Sequence, residues 1–434
     1  MEQAINYAGA WTTIIILAVA FLLFLTEWIP LVATAIAVPV ALTITGVLGV
    51  NEAFKDFANS WTLIFMFMFM LGEALFRTGF AEKVGRWAVD KGKGNETMIL
   101  INIMVVTAVM SAFLSNTGTT ICFLPIILAV IAQAGFSTKR FMMCLAFASS
   151  FGGTITLIGT PPNGVVNGIL EKAKLPTFGF FEFSMIGVPL AIIGIAAMVL
   201  FGVRFLPKGM VDTSGDDYEG PKLDENFTYR ENKMMLAIFL FVLVIFVMAA
   251  GGYIPFIKKT LHINLLVAAA AGACLVIATR CITWKEATQA VSWTTVFLFA
   301  CMFPVSTALV KTGGVLMVAN WVNSMVGSGF MLMAAMTVVT AILTQFASNT
   351  ATTLIVAPIG IASAQAMGVS PAPVLMGIAM GASLCFMSPI ATPPNTIVLG
   401  PGKLNFMDYV KAGWFPQILS LILVILLVPI IWHF

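Results

Sequence analysis

Charge is what this sequence has least of. Only 9% of its 434 residues are Asp, Glu, Lys or Arg, against about 25% in an ordinary soluble chain, so no water-facing surface could be covered. Histidine is nearly missing too. His262 and His433 are the only two, which excludes a multi-histidine metal centre and leaves no plausible Ser–His pair. There is no HExxH, no membrane Asp pair and no Walker A sequence, so intramembrane proteolysis and direct ATP drive lack their residues. The six cysteines (Cys122, Cys144, Cys274, Cys281, Cys301, Cys385) show no CxxC spacing and mostly fall in apolar segments. They read as small core residues rather than a disulfide framework or metal site. A net charge of +3 leaves no nucleic-acid footprint. The first apolar run has almost no basic residues before it, so a cleaved signal peptide is not expected.

What is present is apolar length. Residues 3–26, 28–51, 97–138, 141–170, 183–203, 234–257, 260–279, 287–310, 312–402 and 412–434 carry no charged side chain. A span needs about 20 such residues, and almost every run supplies it. The fold class is an all-α polytopic membrane protein.

The runs carry an internal repeat at a shift of about 232 residues. Ser60-Trp61-Thr62 recurs as Ser292-Trp293-Thr294, Arg77-Thr78-Gly79 as Lys311-Thr312-Gly313, and Trp87 as Trp321. Ser115-Asn116-Thr117 recurs as Ser348-Asn349-Thr350, and Thr160-Pro161-Pro162-Asn163 as Thr392-Pro393-Pro394-Asn395. Five landmarks in one order at nearly constant offset mark a duplication, with halves at about 1–206 and 232–434. The stretch 207–231 between them holds Asp212, Asp216, Asp217, Glu219, Asp224 and Glu225 among Gly, Pro and Ser, and reads as a solvated cytoplasmic linker. Asn95-Glu96-Thr97 and Asn226-Phe227-Thr228 match the glycosylation pattern, but both fall on the side placed in the cytoplasm and are read as chance.

Each half parses alike. Helices are expected at about 10–27, 29–50 and 61–78, echoed at 233–252, 261–280 and 293–310. Short interfacial segments follow at 81–92 and 314–326. Uncharged stretches at about 97–132 and 329–363, each interrupted by SNT, read as hairpins that dip into the membrane and turn back. Broken helices at about 141–171 and 373–400 carry TPPN, and closing helices follow at 183–204 and 413–432. Five crossings per half is odd, so the second copy must be inverted. With the N- and C-termini outside, the segments near 77–96, 133–140, 204–233, 280–286 and 401–411 are cytoplasmic and hold 16 of the 22 basic residues, as the positive-inside rule asks.

Non-helical backbone survives in hydrocarbon only where it lines a site or is buried in protein. Paired breaks in inverted repeats point to a transporter's binding site. Pro-Pro removes two amide donors and frees carbonyls that a monovalent cation can take. Ser, Thr and Asn add neutral oxygens, and helix N-termini at hairpin tips can hold a carboxylate. Taken singly, either motif could merely join or kink helices; duplicated in register, the pair argues for a site. The central runs hold no carboxylate, whereas proton-driven carriers usually rely on intramembrane Asp or Glu, so a neutral oxygen cage for Na+ is expected. Glu73, four residues before Arg77, reads as a structural pair. A channel fits broken, inverted halves less well than alternating access does.

With duplicated SNT motifs each followed by TPPN, the chain resembles the divalent anion/sodium symporter family over nearly its whole length. The resemblance implies a carrier rather than an enzyme: a sodium-coupled transporter of C4 dicarboxylates such as succinate, malate and fumarate, in the plasma (inner) membrane. It implies substrate contacts from Ser115, Asn116, Thr117, Thr160, Pro161, Ser348, Asn349, Thr350, Thr392 and Pro393. A first Na+ site would use Ser111, Ser115, Asn116 and Gly159, and a second Thr344, Ala347, Asn349 and Ala391, partly through backbone carbonyls. Ser111 and Thr344 each stand four residues before the SNT serine, one helical turn from the tip. The resemblance further implies a homodimer working as an elevator. Its scaffold would be roughly the first two helices of each repeat with the closing helices' neighbours, and segments 81–92 and 314–326 would be its arms. A sodium-independent dicarboxylate exchanger is the alternative within the family.

Overall fold

The duplication of motifs reappears as a duplication of elements. The computed structural model describes residues 6–26, 28–206, 229–251 and 264–434. Among the described residues there is no strand. The first half runs α1 (Tyr7–Thr26), α2 (Leu31–Ile44), α3 (Val50–Phe54), α4 (Ser60–Arg77), α5 (Phe80–Lys91), α6 (Glu96–Ser111), α7 (Asn116–Ala134), α8 (Thr138–Gly153), α9 (Pro161–Lys172) and α10 (Ser184–Leu200). The second repeats that order as α11 (Met234–Ala250), α12 (Leu265–Ala278), α13 (Trp284–Ala290), α14 (Trp293–Thr312), α15 (Gly314–Asn323), α16 (Gly329–Leu343), α17 (Asn349–Ala366), α18 (Pro371–Ser383), α19 (Pro393–Leu399) and α20 (Phe406–Ile431). Seven helical stretches among the described residues are long and apolar enough to cross a membrane; α2, α6, α12, α16 and α18 are apolar but shorter. The chain is a multi-pass membrane protein. Most of the expected linker (207–228, with Asn226-Phe227-Thr228), together with 252–263, lies outside the described residues.

The recurring landmarks have local causes. Thr78 and Thr312 send their hydroxyls back to Ala74 O and Ala308 O, at 2.7 and 2.8 Å. Gly79 and Gly313 follow at φ +80° and +74°, a left-handed stop that favours glycine. So Arg-Thr-Gly and Lys-Thr-Gly are helix terminators that turn α4 into α5 and α14 into α15. Trp87 and Trp321 sit exposed on α5 and α15, as interfacial tryptophans do. Asn95 is a helix cap: its side chain accepts from Met98 N at 3.1 Å.

Packing follows the duplication pair by pair. In the first half α6 and α7 pack on one another and on α8, and α10 packs on α6 and α8; in the second α16, α17, α18 and α20 do the same. The halves are also laced together. α9 packs on α17 and α18, while α19 packs on α7 and α8. Likewise α2 packs on α14 and α12 on α4. Two groups result, α1–α4 with α11–α14, and α6–α10 with α16–α20. α5 and α15 touch members of both.

The groups meet along α4 and α14 on one side and α9 and α17 on the other. At one such contact Lys172, at the end of α9, is paired with Asp56 at 2.6 Å and donates to Phe303 O at 3.0 Å. Beside it Trp61 gives its indole N–H to Glu171 at 2.6 Å. Asp56 and Trp61 are each 3% exposed, so this is a buried junction rather than a surface ion pair.

Outside the membrane, Glu286 on α13 gathers the chain entering α11. It accepts from Arg230 at 2.8 and 3.1 Å and from Thr283 N and Oγ1 at 2.7 and 2.9 Å. Arg77 stands 3.8 Å away. Partial burial alone would raise this carboxyl, but the hydrogen bonds from Arg230 and Thr283 outweigh it and bring its pKa down to about 2.

Candidate functional site

Each hairpin turns at its SNT because the serine ends the incoming turn and caps the outgoing helix. Ser115 Oγ accepts from Gly118 N at 3.0 Å and Ser348 Oγ from Ala351 N at 3.3 Å, the N-cap arrangement. The asparagine is therefore the first helical residue of α7 and of α17, at the positive end of the helix.

Behind each asparagine lies a matched set of neutral oxygens. In the first half Ser111, fully buried, donates to Ser149 O on α8 at 2.8 Å. Hydrogen-bond complementarity turns the Asn116 amide nitrogen toward Ser111 Oγ at 2.6 Å, with Gly159 O at 3.1 Å and Ser149 O at 3.3 Å. Asn116 O in turn accepts from Thr120 at 2.8 Å and Ser149 at 2.9 Å. In the second half Thr344, also fully buried, places its hydroxyl 2.7 Å from Asn349 Oδ1 and 2.9 Å from Ala382 O on α18. Asn349 O accepts from Thr353 at 2.7 Å. The register is constant: 344 − 111, 349 − 116, 353 − 120 and 382 − 149 all equal 233.

The breaks at TPPN complete the set. α8 stops at Gly153 and α18 at Ser383, and helix resumes only at Pro161 and Pro393. Proline tolerates this first position because its missing N–H would be unpaired there anyway. Thr160 and Thr392 stand in extended backbone just before. The TPPN asparagines close the unwound loops: Asn163 Nδ2 donates to Thr156 O at 2.8 Å, and Asn395 Nδ2 to Ser388 O at 2.8 Å and Cys385 O at 3.0 Å. The hydroxyl of Thr156 bonds to Ala112 O across the hairpin. Close approach matters here too. A Cβ on Gly413 of α20 would lie 2.1 Å from Phe386 O, so the closing helix presses directly on the second unwound segment.

The expected residues sort clearly. Ser111, Asn116 and Gly159 come together, as do Thr344 and Asn349. The hydroxyls of Ser115 and Ser348 cap their helices. Thr117 and Thr350 follow the asparagines in the first turns of α7 and α17. Ala347 and Ala391 are buried and have only backbone oxygens to offer. Thr392 Oγ1 is buried with no hydrogen-bond partner among the described residues, an available hydroxyl at the second break. Reading the sequence had missed Ser149, Thr156, Thr120, Thr353 and the two glutamines Gln345 and Gln417. Thr120 and Thr353 could have been found, since each stands four residues after its asparagine. Among the described residues no group of three or more His, Cys, Asp or Glu forms a metal cluster. The donors are hydroxyl, amide and carbonyl oxygens, a hard neutral set that suits a monovalent cation better than a transition metal.

Comparison with known proteins gives the family. A profile of the citrate transporter family, CitMHS, matches residues 21–368 and 317–434. The uncharacterized transporter YfbS of Escherichia coli K12 is 25% identical over 603 aligned residues, covering 96% of this chain and 98% of its own. The sodium-dependent dicarboxylate transporter SdcS of Staphylococcus saprophyticus is 27% identical over 435 residues, covering 93% of this chain and 83% of its own. SdcS of Staphylococcus aureus NCTC 8325 is 26% identical over 451 residues, with 96% and 86% covered. Among solved structures, the YdaH transporter of Alcanivorax borkumensis matches with a TM-score of 0.63 at 15% identity, over 95% of this chain and 98% of that one. That last likeness is one of fold.

Proposed function

The chain belongs to the citrate transporter family, CitMHS, and is a membrane transporter rather than an enzyme; from that premise we propose that it imports C4 dicarboxylates together with Na+ across the plasma membrane. The observation that carries the reading is the pair of matched oxygen clusters, Ser111–Asn116 and Thr344–Asn349, at hairpin tips within runs 97–138 and 312–402 that hold no charged residue. Na+ enters as a co-substrate. Ser111, Asn116 and Gly159 hold one ion, and Thr344, Asn349 and the backbone of Ala347 and Ala391 the other. Ser115 contributes through the tip it shapes.

An anion needs positive charge in a place with no Lys or Arg. The N-termini of α7 and α17 supply about half a charge each, and two bound cations supply the rest. Asn116, Thr117, Asn349 and Thr350 donate to the carboxylates from the first turns of those helices, and Thr160 and Thr392 with Pro161 and Pro393 line the unwound side. Coupling then has a plain physical origin. Without the ions, a desolvated dicarboxylate faces partial charges only, and its binding is too weak to drive transport.

Movement follows from the two helix groups. α6–α10 with α16–α20 carry all four motifs and move as the elevator against α1–α4 with α11–α14, while α5 and α15 bridge the groups. The two halves are inverted repeats with both termini outside and 207–231 in the cytoplasm, and two copies form a dimer through the static group.

The test is labelled succinate uptake into liposomes under an inward Na+ gradient or an equal K+ gradient. Electrogenic uptake that requires Na+ upholds the reading. Uptake that ignores Na+ but needs internal dicarboxylate overturns the coupling in favour of exchange, and Na+-driven uptake of citrate in place of succinate moves the substrate class.

A further inference from the structure

The second unwound segment is held in a way that the first is not. Leu384 O receives two side-chain amides at once, Gln345 Nε2 at 3.0 Å and Gln417 Nε2 at 3.0 Å. The amide oxygens of the same glutamines take the next free N–H groups. Phe386 N donates to Gln417 Oε1 at 3.2 Å, and Met387 N to Gln345 Oε1 at 3.1 Å. Gln345 Nε2 also reaches Ala341 O at 3.0 Å in its own helix. Two side chains, one from the turn after α16 and one from α20, thus pair three main-chain groups of Leu384–Met387 that a helix would otherwise satisfy. Unpaired backbone groups at that depth cost several kcal/mol each, so the bracket is what lets the chain stay unwound there.

Its position gives it a further role. Gln345 follows Thr344 directly, and Thr344 carries the hydroxyl at Asn349 Oδ1 and Ala382 O. Cys385 Sγ lies 3.4 Å from Thr344 O, so the segment touches the residue before Gln345 as well. The first half has nothing comparable. The hairpin register places Ala112 where Gln345 stands (345 − 233 = 112). In the closing helices Gly187 abuts Thr154 O as Gly413 abuts Phe386 O, which places the buried Ala191 where Gln417 stands (413 − 187 = 417 − 191 = 226). There the unwound backbone is tied by the Thr156 hydroxyl to Ala112 O and by Leu157 N to Phe180 O at 3.1 Å.

We propose that Gln345 and Gln417 are positioning residues for the second cation site, a side-chain clamp that sets the distance between Thr344 and the unwound segment. The inference rests on the reading that the Thr344–Asn349 cluster binds Na+. It deepens that reading by making the two ion sites unequal: the first is fixed by backbone and hydroxyls, the second by two exchangeable amides. Outer-shell partners of this kind are worth roughly 10–100-fold in ion affinity.

The experiment compares wild type, Thr344→Ala, Gln345→Ala and Gln417→Leu in two ways. One is the Na+ dependence of the thermal unfolding midpoint of purified protein without substrate, with choline as the replacement cation, since a ligand raises the midpoint only as it occupies its site. The other is the Na+ dependence of succinate uptake. The clamp predicts that both glutamine variants raise the half-saturating Na+ roughly tenfold or more in both readouts, with maximal uptake at saturating Na+ kept within about twofold, as loss of ion binding alone requires. Gln345→Glu, which keeps the acceptor for Met387 N, falls between wild type and Gln345→Ala. An unchanged Na+ dependence in the glutamine variants, while Thr344→Ala shifts it, overturns the clamp and leaves the ion site standing. An unchanged dependence in Thr344→Ala overturns the ion site itself, and the clamp with it. Should the larger changes prevent folding, Gln345→Glu and Gln417→Glu give the same comparison.

Discussion

At the start of α4, Trp61 is buried and donates its indole N–H to Glu171 on α9 at 2.6 Å. At the matched start of α14, Trp293 is 48% exposed and donates to Thr288 O, five residues back in its own segment, at 3.3 Å. The partner position has changed as well, since Lys403 stands where Glu171 does (403 − 171 = 232). The Asp56–Lys172 pair belongs to the first corner. At the hairpin tips, by contrast, three contacts recur at one offset: Ser111 with Asn116 and Thr344 with Asn349, Ser111 with Ser149 O and Thr344 with Ala382 O, and Thr120 with Asn116 O and Thr353 with Asn349 O. The duplicated chain has held its chemistry where ligands are expected and has diverged where one helix group meets the other. A site that needs both copies must keep both; a junction between two helix groups is free to differ on its two sides.

The largest effect that could break this comparison lies at the tips. Asn116→Ala and Asn349→Ala should each lower uptake at limiting Na+ by about 100-fold or more, since outer-shell partners alone are worth 10–100-fold. A variant that loses less than about twofold in either half would end the equivalence of the two tips.

The corners should behave oppositely. Asp56→Asn leaves Lys172 buried without its partner and should cost about 3 kcal/mol of stability, read as a lower unfolding midpoint in detergent. Trp61→Phe removes a hydrogen bond to a charged acceptor and should cost about 2 kcal/mol. Trp293→Phe, on the exposed side, should stay within about 0.5 kcal/mol. Equal costs at Trp61 and Trp293 would show that the corners are alike after all.

Most of the fold could be read from the sequence because its signals are local or repeated. The expected segments 61–78, 81–92 and 293–310 match α4, α5 and α14 to within two residues at each end, since cap and terminator residues bound them. The SNT and TPPN breaks fall where a serine caps the next helix and a Pro-Pro pair opens one. The short helices α3 and α13 left no hydrophobic period to read and were missed. So were Gln345 and Gln417, for a different reason. Each is one polar residue in an apolar run, and its meaning lies in Leu384, Phe386 and Met387, which are distant in sequence and present only backbone atoms. Ser149 was missed on the same ground.

An effect confined to acid pH concerns Glu286. Its folded pKa of about 2 lies below the ordinary 4.5, so its contribution to stability is complete above about pH 5 and fades as pH falls from 4.5 toward 2. Glu286→Gln should therefore unfold at a lower temperature than wild type at neutral pH, and the gap should close in that acid window. A gap that persists at pH 2 would mean that Arg230 and Arg77 do not act through the carboxylate charge.

The lacing of α9 onto α17 and α18, and of α19 onto α7 and α8, bears on biogenesis. As the ribosome releases the first half, α7 and α8 still lack α19, and α9 still lacks α17 and α18, because those helices are not yet made. The faces that α7 to α9 will bury must wait in lipid until α17 to α19 arrive. Folding is therefore committed late and by contacts far apart in the chain, which are slow to form. Halves made separately but in the same membrane should find each other, whereas a chain truncated after α10 offers quality-control proteases an unfinished surface.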